Sequence, residues 1–303
     1  MLARPVRAME CGAVRAQFFQ PPEQLRRYFT TFYCIETELP EGSEVEDYLH
    51  PEWANLRFVQ GAVATAESRD GIRLTGPSFF ATGPSRRAVR FSVGPRWRLW
   101  GIGILPLGWA RYMSTAACEL ADVVVDGAKH PAFARFTTLA KGLFGPSPDP
   151  EAELERISRF FLERDVGPIP DEARIVSIHT ALVDPAVTSV CELVARVNAS
   201  QRTVERTCER YFGFSPKVML RRQRFLRSLA HYAADPSLKW IGALDAQYYD
   251  QAQFVRDFKE FMDMSPRQYA ALDKPILSAV MRARAQLGGK AVQALDNPRG
   301  GGY

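Results

Sequence analysis

The sequence predicts an α+β protein in two parts, a small β-barrel with helices followed by an all-α domain made of two helix-turn-helix units. Three observations carry this. One pattern occurs twice in the last third of the chain at an offset of fifty residues. Residues 28–105 break into short aromatic and β-branched runs separated by Gly, Pro, Ser and Asp turn signals. Breaker-rich stretches at 145–150 and 167–170 divide the chain. The expected division is a domain at 1–150, a connecting helix and linker at 151–170, a helical domain at 171–273 and a tail at 274–303, in which 275–287 suits a short helix and 296–303 has the composition of a frayed end.

Strands are expected at 28–37, 56–66, 72–74, 78–82, 88–93 and 97–105, a number and spacing that suit a barrel or sandwich. Helices follow at 107–115 and 131–143, with a short apolar run at 123–125. A barrel of this size is filled by side chains or holds one small ligand. Trp53, Arg57, Phe80, Arg98 and Trp100 are the candidate pocket residues, beside the plainer reading of core aromatics and surface arginines. His50, His130, His179 and His231 are isolated, and the five cysteines form no C-x-x-C pair, so neither a metal site nor a disulfide framework is expected. No cofactor and no catalytic residue is expected either. Residues 1–14 lack the apolar core of a secretory signal, and no apolar run reaches the length of a membrane span. A cytoplasmic location, away from membranes, is the expectation.

The repeat gives the second half its order. Shifting 200–214 by fifty places Gln201 on Gln251, Val204 on Phe254, Arg206 on Arg256, Cys208 on Phe258 and Tyr211 on Phe261. Ser215-Pro216 falls on Ser265-Pro266, so each copy is a short apolar helix, a turn, a second helix and a Ser-Pro stop. Ser200 and Asp250 are suited to cap the second helices, because each side chain can accept from an orphan N–H of the first turn. Val204, Cys208 and Tyr211 make the buried stripe of one copy, and Phe254, Phe258 and Phe261 that of the other. Gly213 and Asp263 occupy the positions that need a left-handed backbone. Between the copies, 217–233 contains no Gly or Pro and reads as a rigid spacer helix starting near Pro216. Cys191 and Cys208 are read as core residues.

On these residues, and most specifically on the run from Ala246 to Lys259 with Met264-Ser265-Pro266-Arg267-Gln268-Tyr269, the region 174–272 resembles the DNA-binding domain of the AraC/XylS family of bacterial transcription regulators. Tyr248 and Cys208 depart from the family pattern. The first half is similar, more loosely, to the cupin-like barrel of such regulators, through Leu99-Trp100-Gly101-Ile102-Gly103-Ile104 and Leu120-Ala121-Asp122-Val123-Val124-Val125. The resemblance implies double-stranded DNA as partner, RNA polymerase and a small-molecule effector as further partners, and a homodimer held through the helix at 151–163. That helix carries Leu154, Ile157, Phe160, Phe161 and Leu162 on one apolar side and is equally suited to pack on its own barrel.

A major groove admits an α-helix whose Arg, Gln, Glu and small apolar side chains read base edges. Gln201, Arg202, Glu205 and Arg206 in one helix, and Gln251, Ala252, Gln253 and Arg256 in the other, supply that set. Lys217, Arg221, Arg222, Lys259 and Arg267 are the expected phosphate contacts. Residues 196–227 hold nine basic side chains against two acidic ones, a balance of +7 in a chain whose total is +5. The reading is therefore a regulator and not an enzyme. Two alternatives stand beside it: a barrel or DNA-repair enzyme with a fused module of this type, and a constitutive DNA-binding protein whose barrel only dimerises.

Overall fold

The computed structural model describes residues 5–11, 14–68, 70–164, 167–234, 240–288, 293–296 and 298. The expected frayed tail at 296–303 falls mostly outside the described residues. The first part contains strands β1 (Pro5–Cys11), β2 (Val14–Phe19), β3 (Phe29–Glu38), β4 (Val45–Leu49), β5 (Ala54–Gly61), β6 (Ala64–Glu67), β7 (Arg73–Thr75), β8 (Phe79–Thr82), β9 (Val89–Val93), β10 (Arg96–Ile104) and β11 (Val124–Asp126). They form two antiparallel sheets, one in the order β1-β2-β3-β10-β5-β8-β11 and the other β4-β9-β6-β7. Strand β10 pairs with β3 on one side and β5 on the other, and eight of its nine residues are buried. Its near-continuous run from Trp97 to Ile104 reflects that central position, where both faces are covered.

Two differences from the expected strands have local causes. The run at 56–66 is not one strand but β5 and β6, broken at Gly61. Its φ of +98° and the 2.4 Å that would separate an added Cβ from the Arg96 carbonyl oxygen leave room only for glycine. Strand β4 escapes a hydrophobic pattern because its inward residue is Asp47, which is wholly buried.

The helices are α1 (Pro106–Tyr112), α2 (Thr137–Gly142), α3 (Pro150–Leu162), α4 (Glu172–Val183), α5 (Val190–Val197), α6 (Gln201–Phe212), α7 (Pro216–Ala234), α8 (Trp240–Ala243), α9 (Gln251–Met262), α10 (Pro266–Ala271) and α11 (Pro275–Gly288). Asp149 caps α3 by accepting from the Ala152 amide at 3.0 Å. The apolar side of α3 is used within the chain: Leu154, Ile157 and Phe161 are buried, and the Phe161 ring lies 4.5 Å from that of Phe29. Of the other apolar residues expected on this helix, Phe160 is half-buried and Leu162 exposed, so the contact with the protein's own first domain is made by Leu154, Ile157 and Phe161.

The two parts share one core. Buried residues run without a break from Phe29, Trp53 and Tyr112 through Phe161 and Ile178 to Phe212, Phe225 and Phe258. The Trp53 ring meets His179 edge-on at 5.0 Å and Phe212 at 6.0 Å. Helix α11 lies against β1, β2 and β4. It is a structural piece of the first domain, although it follows the second in sequence.

Candidate nucleic-acid interface

Each helix-turn-helix unit is built as its capping residues dictate. In the first, Ser189 and Glu192 form a reciprocal capping box at the start of α5, and Asn198 turns the chain with φ +54°. Ser200 then accepts from the Thr203 amide at 3.2 Å to begin α6, and Gly213 ends it at φ +87°. In the second, Asp250 accepts from the Gln253 amide at 2.6 Å, and Asp263 closes α9 at φ +59°. Val204, Cys208 and Tyr211 are buried in α6, as are Phe254, Phe258 and Phe261 in α9. Burial pushes the Cys208 thiol up to about 12, so it remains a neutral core group. Cys191, read as a core residue, is instead exposed on α5.

The opposite faces are free. Gln201, Arg202 and Arg206 are exposed on α6 and Glu205 is half-buried, with the Gln201 amide donating to Glu205 Oε1 at 2.8 Å. On α9, Gln251, Ala252 and Arg256 are exposed. Gln253 is half-buried, and its Oε1 accepts from the Tyr249 amide at 3.2 Å, which draws it toward the helix start and gives it a share in capping. Tyr249 itself is 96% exposed immediately before α9. Sequence reasoning passed over it; an aromatic residue next to an N-cap was the available signal.

The expected phosphate contacts divide. Lys217, Lys259 and Arg267 are exposed. Arg222 is fully buried: its Nη1 donates to the carbonyls of Glu52 at 3.1 Å and Ser85 at 2.8 Å, and its guanidinium lies 4.4 Å over the Trp53 ring. Burial lowers its pKa to about 9, which leaves it charged at neutral pH. In this arrangement Arg222 reaches no phosphate, because its place on α7 faces the first domain. Arg221 is occupied as well, donating to Asp257 Oδ1 at 2.6 Å and Glu260 Oε2 at 2.5 Å. Asp257 also accepts from Arg224 at 3.0 Å and from the Tyr248 hydroxyl at 3.1 Å, and Arg227 donates to Asp245 at 2.5 Å. Much of the basic run is therefore neutralised inside the fold, where it fastens the spacer α7 to the second unit. Tyr248, a departure from the family pattern, is a buried member of that joint.

Residues 193–271 match the model of a helix-turn-helix domain family. The chain carries an AraC-type helix-turn-helix domain. That domain places it among DNA-binding transcription regulators. No curated protein matches the chain. Among solved structures, it is similar to an apo form of a ToxT variant from Vibrio cholerae strain SCE256, at 11% identity over 80% of this chain and 97% of that one, with a TM-score of 0.41. Wild-type ToxT of the same strain with bound unsaturated fatty acid gives 11%, 80%, 95% and 0.39. The AraC-like transcriptional activator CuxR gives 13%, 72%, 82% and 0.30. At such values the assignment rests on the matched domain.

The candidate pocket residues also divide. A cavity of about 130 Å³ lies between the two sheets, and Arg57 and Phe80 line it. Trp53, Arg98 and Trp100 do not. Trp53 faces Arg222; Arg98 binds Glu36 at 2.5 Å and Glu153; and the Trp100 indole donates to Glu153 at 2.6 Å, so both clamp α3 instead. The cavity walls the sequence did not indicate include Phe18, Tyr33, Phe91 and Trp97. Among the described residues no group of His, Cys, Asp and Glu is placed to hold a metal, and no helix is long and apolar enough to cross a membrane.

Proposed function

We propose that the chain reads two successive major grooves of one DNA site, with α6 and α9 as recognition helices, and that a small molecule in the first domain adjusts this reading. The observation that carries it is the pair of exposed faces, each on a helix opened by a side-chain N-cap and closed by a left-handed residue, separated by α7. Its nineteen residues span about 28 Å at 1.5 Å per residue, near the roughly 34 Å turn of B-DNA. Gln201, Arg202, Glu205 and Arg206 would read one groove and Gln251, Ala252, Gln253 and Arg256 the next, with Lys217, Lys259 and Arg267 on phosphates. Residues 171–273 are on this reading the DNA-binding domain. The cavity between the sheets supports an effector role for the first domain and favours it over a barrel that only dimerises.

The test uses a mapped site. Arg206→Ala and Arg256→Ala should each weaken specific binding by about 1 to 3 kcal/mol and leave binding to random DNA nearly unchanged. Inserting about 5 bp between the two contacted clusters turns one half to the opposite face of the duplex, which repeats every 10–10.5 bp, and should remove most specific affinity. Unchanged affinity after the insertion would rule out the two-groove reading.

A further inference from the structure

The cavity between the sheets has a third wall that belongs to neither sheet. Ile276, Leu277, Val280, Met281 and Arg284 of α11 line it, at spacings that put all five on one stripe of the helix. The helix is held at both ends. At its start, Asp47 Oδ2 accepts from the amides of Ile276 at 2.9 Å and Leu277 at 2.8 Å. Further along, Arg284 donates to Thr31 Oγ1 at 2.7 Å and to Asp296 at 2.8 Å. Only residues 272–274 separate α11 from α10 of the second helix-turn-helix unit. The segment beyond it returns to the spacer, where the Gln223 amide donates to the Ala294 carbonyl at 2.8 Å.

The chemistry inside the cavity is specific in what it lacks. Its lining is almost wholly apolar and rich in rings, with Phe18, Tyr33, Phe80, Phe91 and Trp97. The two guanidinium groups that reach it are each paired with a carboxylate, Arg57 with Glu52 at 2.5 Å and Arg284 with Asp296 at 2.8 Å. His50 is uncharged at neutral pH, because burial holds its pKa at about 3. An ionised guest would leave water and meet no unpaired counter-charge, which disfavours it against a neutral one. The volume, about 130 Å³, is close to the roughly 150 Å³ of an apolar cavity known to hold benzene.

We propose that this cavity is a site for an uncharged, ring-sized apolar ligand, and that α11 is its lid, so that the guest is sensed by the helix attached directly to the second DNA-reading unit. This rests on the reading above that the first domain holds a small effector, and it adds the class of ligand and the element that responds. Occupancy fills the space beneath Val280 and Met281, fixes α11 on β1 and β2, and thereby steadies α10 and the middle of α7 at Gln223.

The experiment uses the full chain with toluene and indole as neutral guests and benzoate as the ionised one. The neutral rings should raise Tm by about 2 °C or more at saturation and slow hydrogen exchange at the Ile276 and Leu277 amides, while benzoate does neither. Val280→Trp should fill the site from the lid and abolish the shift. Since that variant can fail to fold, Met281→Ala provides a second arm: by enlarging the site it should improve naphthalene binding relative to toluene about tenfold. No shift with neutral rings, an equal or larger shift with benzoate, or no gain for naphthalene in Met281→Ala overturns the proposal. DNA affinity is read separately. Guest binding with protected α11 amides but unaltered DNA affinity would leave the site and lid standing and remove the effector reading. Altered DNA affinity with unprotected α11 amides would remove the lid and leave the effector.

Discussion

Arg222 stands among arginines that face solvent or carboxylates, yet its own partners are two carbonyls of the first domain. Arg222→Met keeps the length of the side chain and strips those carbonyls of their donor, a loss of about 1 to 3 kcal/mol. Its DNA binding should keep the salt dependence of the parent protein, whereas Lys217→Ala, on an exposed lysine, should reduce the slope by about one. Affinity measured against salt concentration checks both; a reduced slope in Arg222→Met would mean that the arginine leaves its socket on DNA. A second residue-scale test concerns Asp47 and His50, through which the first domain meets α11 and Tyr269 of α10. Burial raises Asp47 from 3.8 to about 6, so its contribution to stability is complete below 3.8 and lost as pH rises through about 6. His50, whose Nε2 lies 2.8 Å from the Tyr269 hydroxyl, is lowered from 6.5 to about 3; its contribution is present above 6.5 and lost as pH falls toward 3. The two oppose each other over one window. Asp47→Asn should therefore make Tm fall more steeply on acidification below 6.5 than in the parent, and His50→Gln should make it fall less. Parallel curves for all three proteins would show that neither group titrates as described.

At the scale of elements, the joint between α7 and α9 turns on Asp257, which accepts from Arg221, Arg224 and Tyr248. Asp257→Asn preserves the shape and removes the charge, leaving Arg224 without its carboxylate and Arg221 with Glu260 alone; a destabilisation of about 3 kcal/mol is expected. If the joint sets the separation of the recognition helices, this variant should lose affinity for a site with both base clusters and keep its affinity for one cluster alone. Titration of the two duplexes checks this, and equal losses would assign Asp257 to stability only. The same elements show what a sequence makes legible. The helix-turn-helix repeat could be read because its period, caps and Ser-Pro stops are local and occur twice. The destination of an arginine is not local: Arg221, Arg222 and Arg224 look alike along the chain and differ only in which element each meets. Strand β4 was obscured for a related reason, as was the place in the fold of the helix expected at 275–287, which is α11. Asp47 makes β4 look like a polar loop until the amides of Ile276 and Leu277, about 230 residues away, are brought to it. The cavity was half legible, through Arg57 and Phe80, because strand alternation marks inward residues but does not say which inward residues pack solidly.

For the whole molecule, the shared core changes what the breaker-rich stretch at 167–170 means. From composition alone, a break there would free a helical fragment that folds by itself. The buried surface of Trp53, Phe212, Arg222 and Tyr269 instead joins the two sides. Proteolysis limited to 167–170 should yield two pieces that elute together at the size of the intact protein and part only in denaturant; separation in native buffer would restore independent domains. Helix α11 adds a matter of timing. A chain emerges from the ribosome amino end first, and a domain ordinarily completes itself as soon as its own residues are out. Here the sheets emerge early, but the α11 wall of their cavity is synthesised after both helix-turn-helix units. On the proposed reading the half that senses must wait, open on one side, for the half it is to instruct, and a transcript cut short before α11 would encode both helix-turn-helix units and leave the cavity between the sheets unsealed.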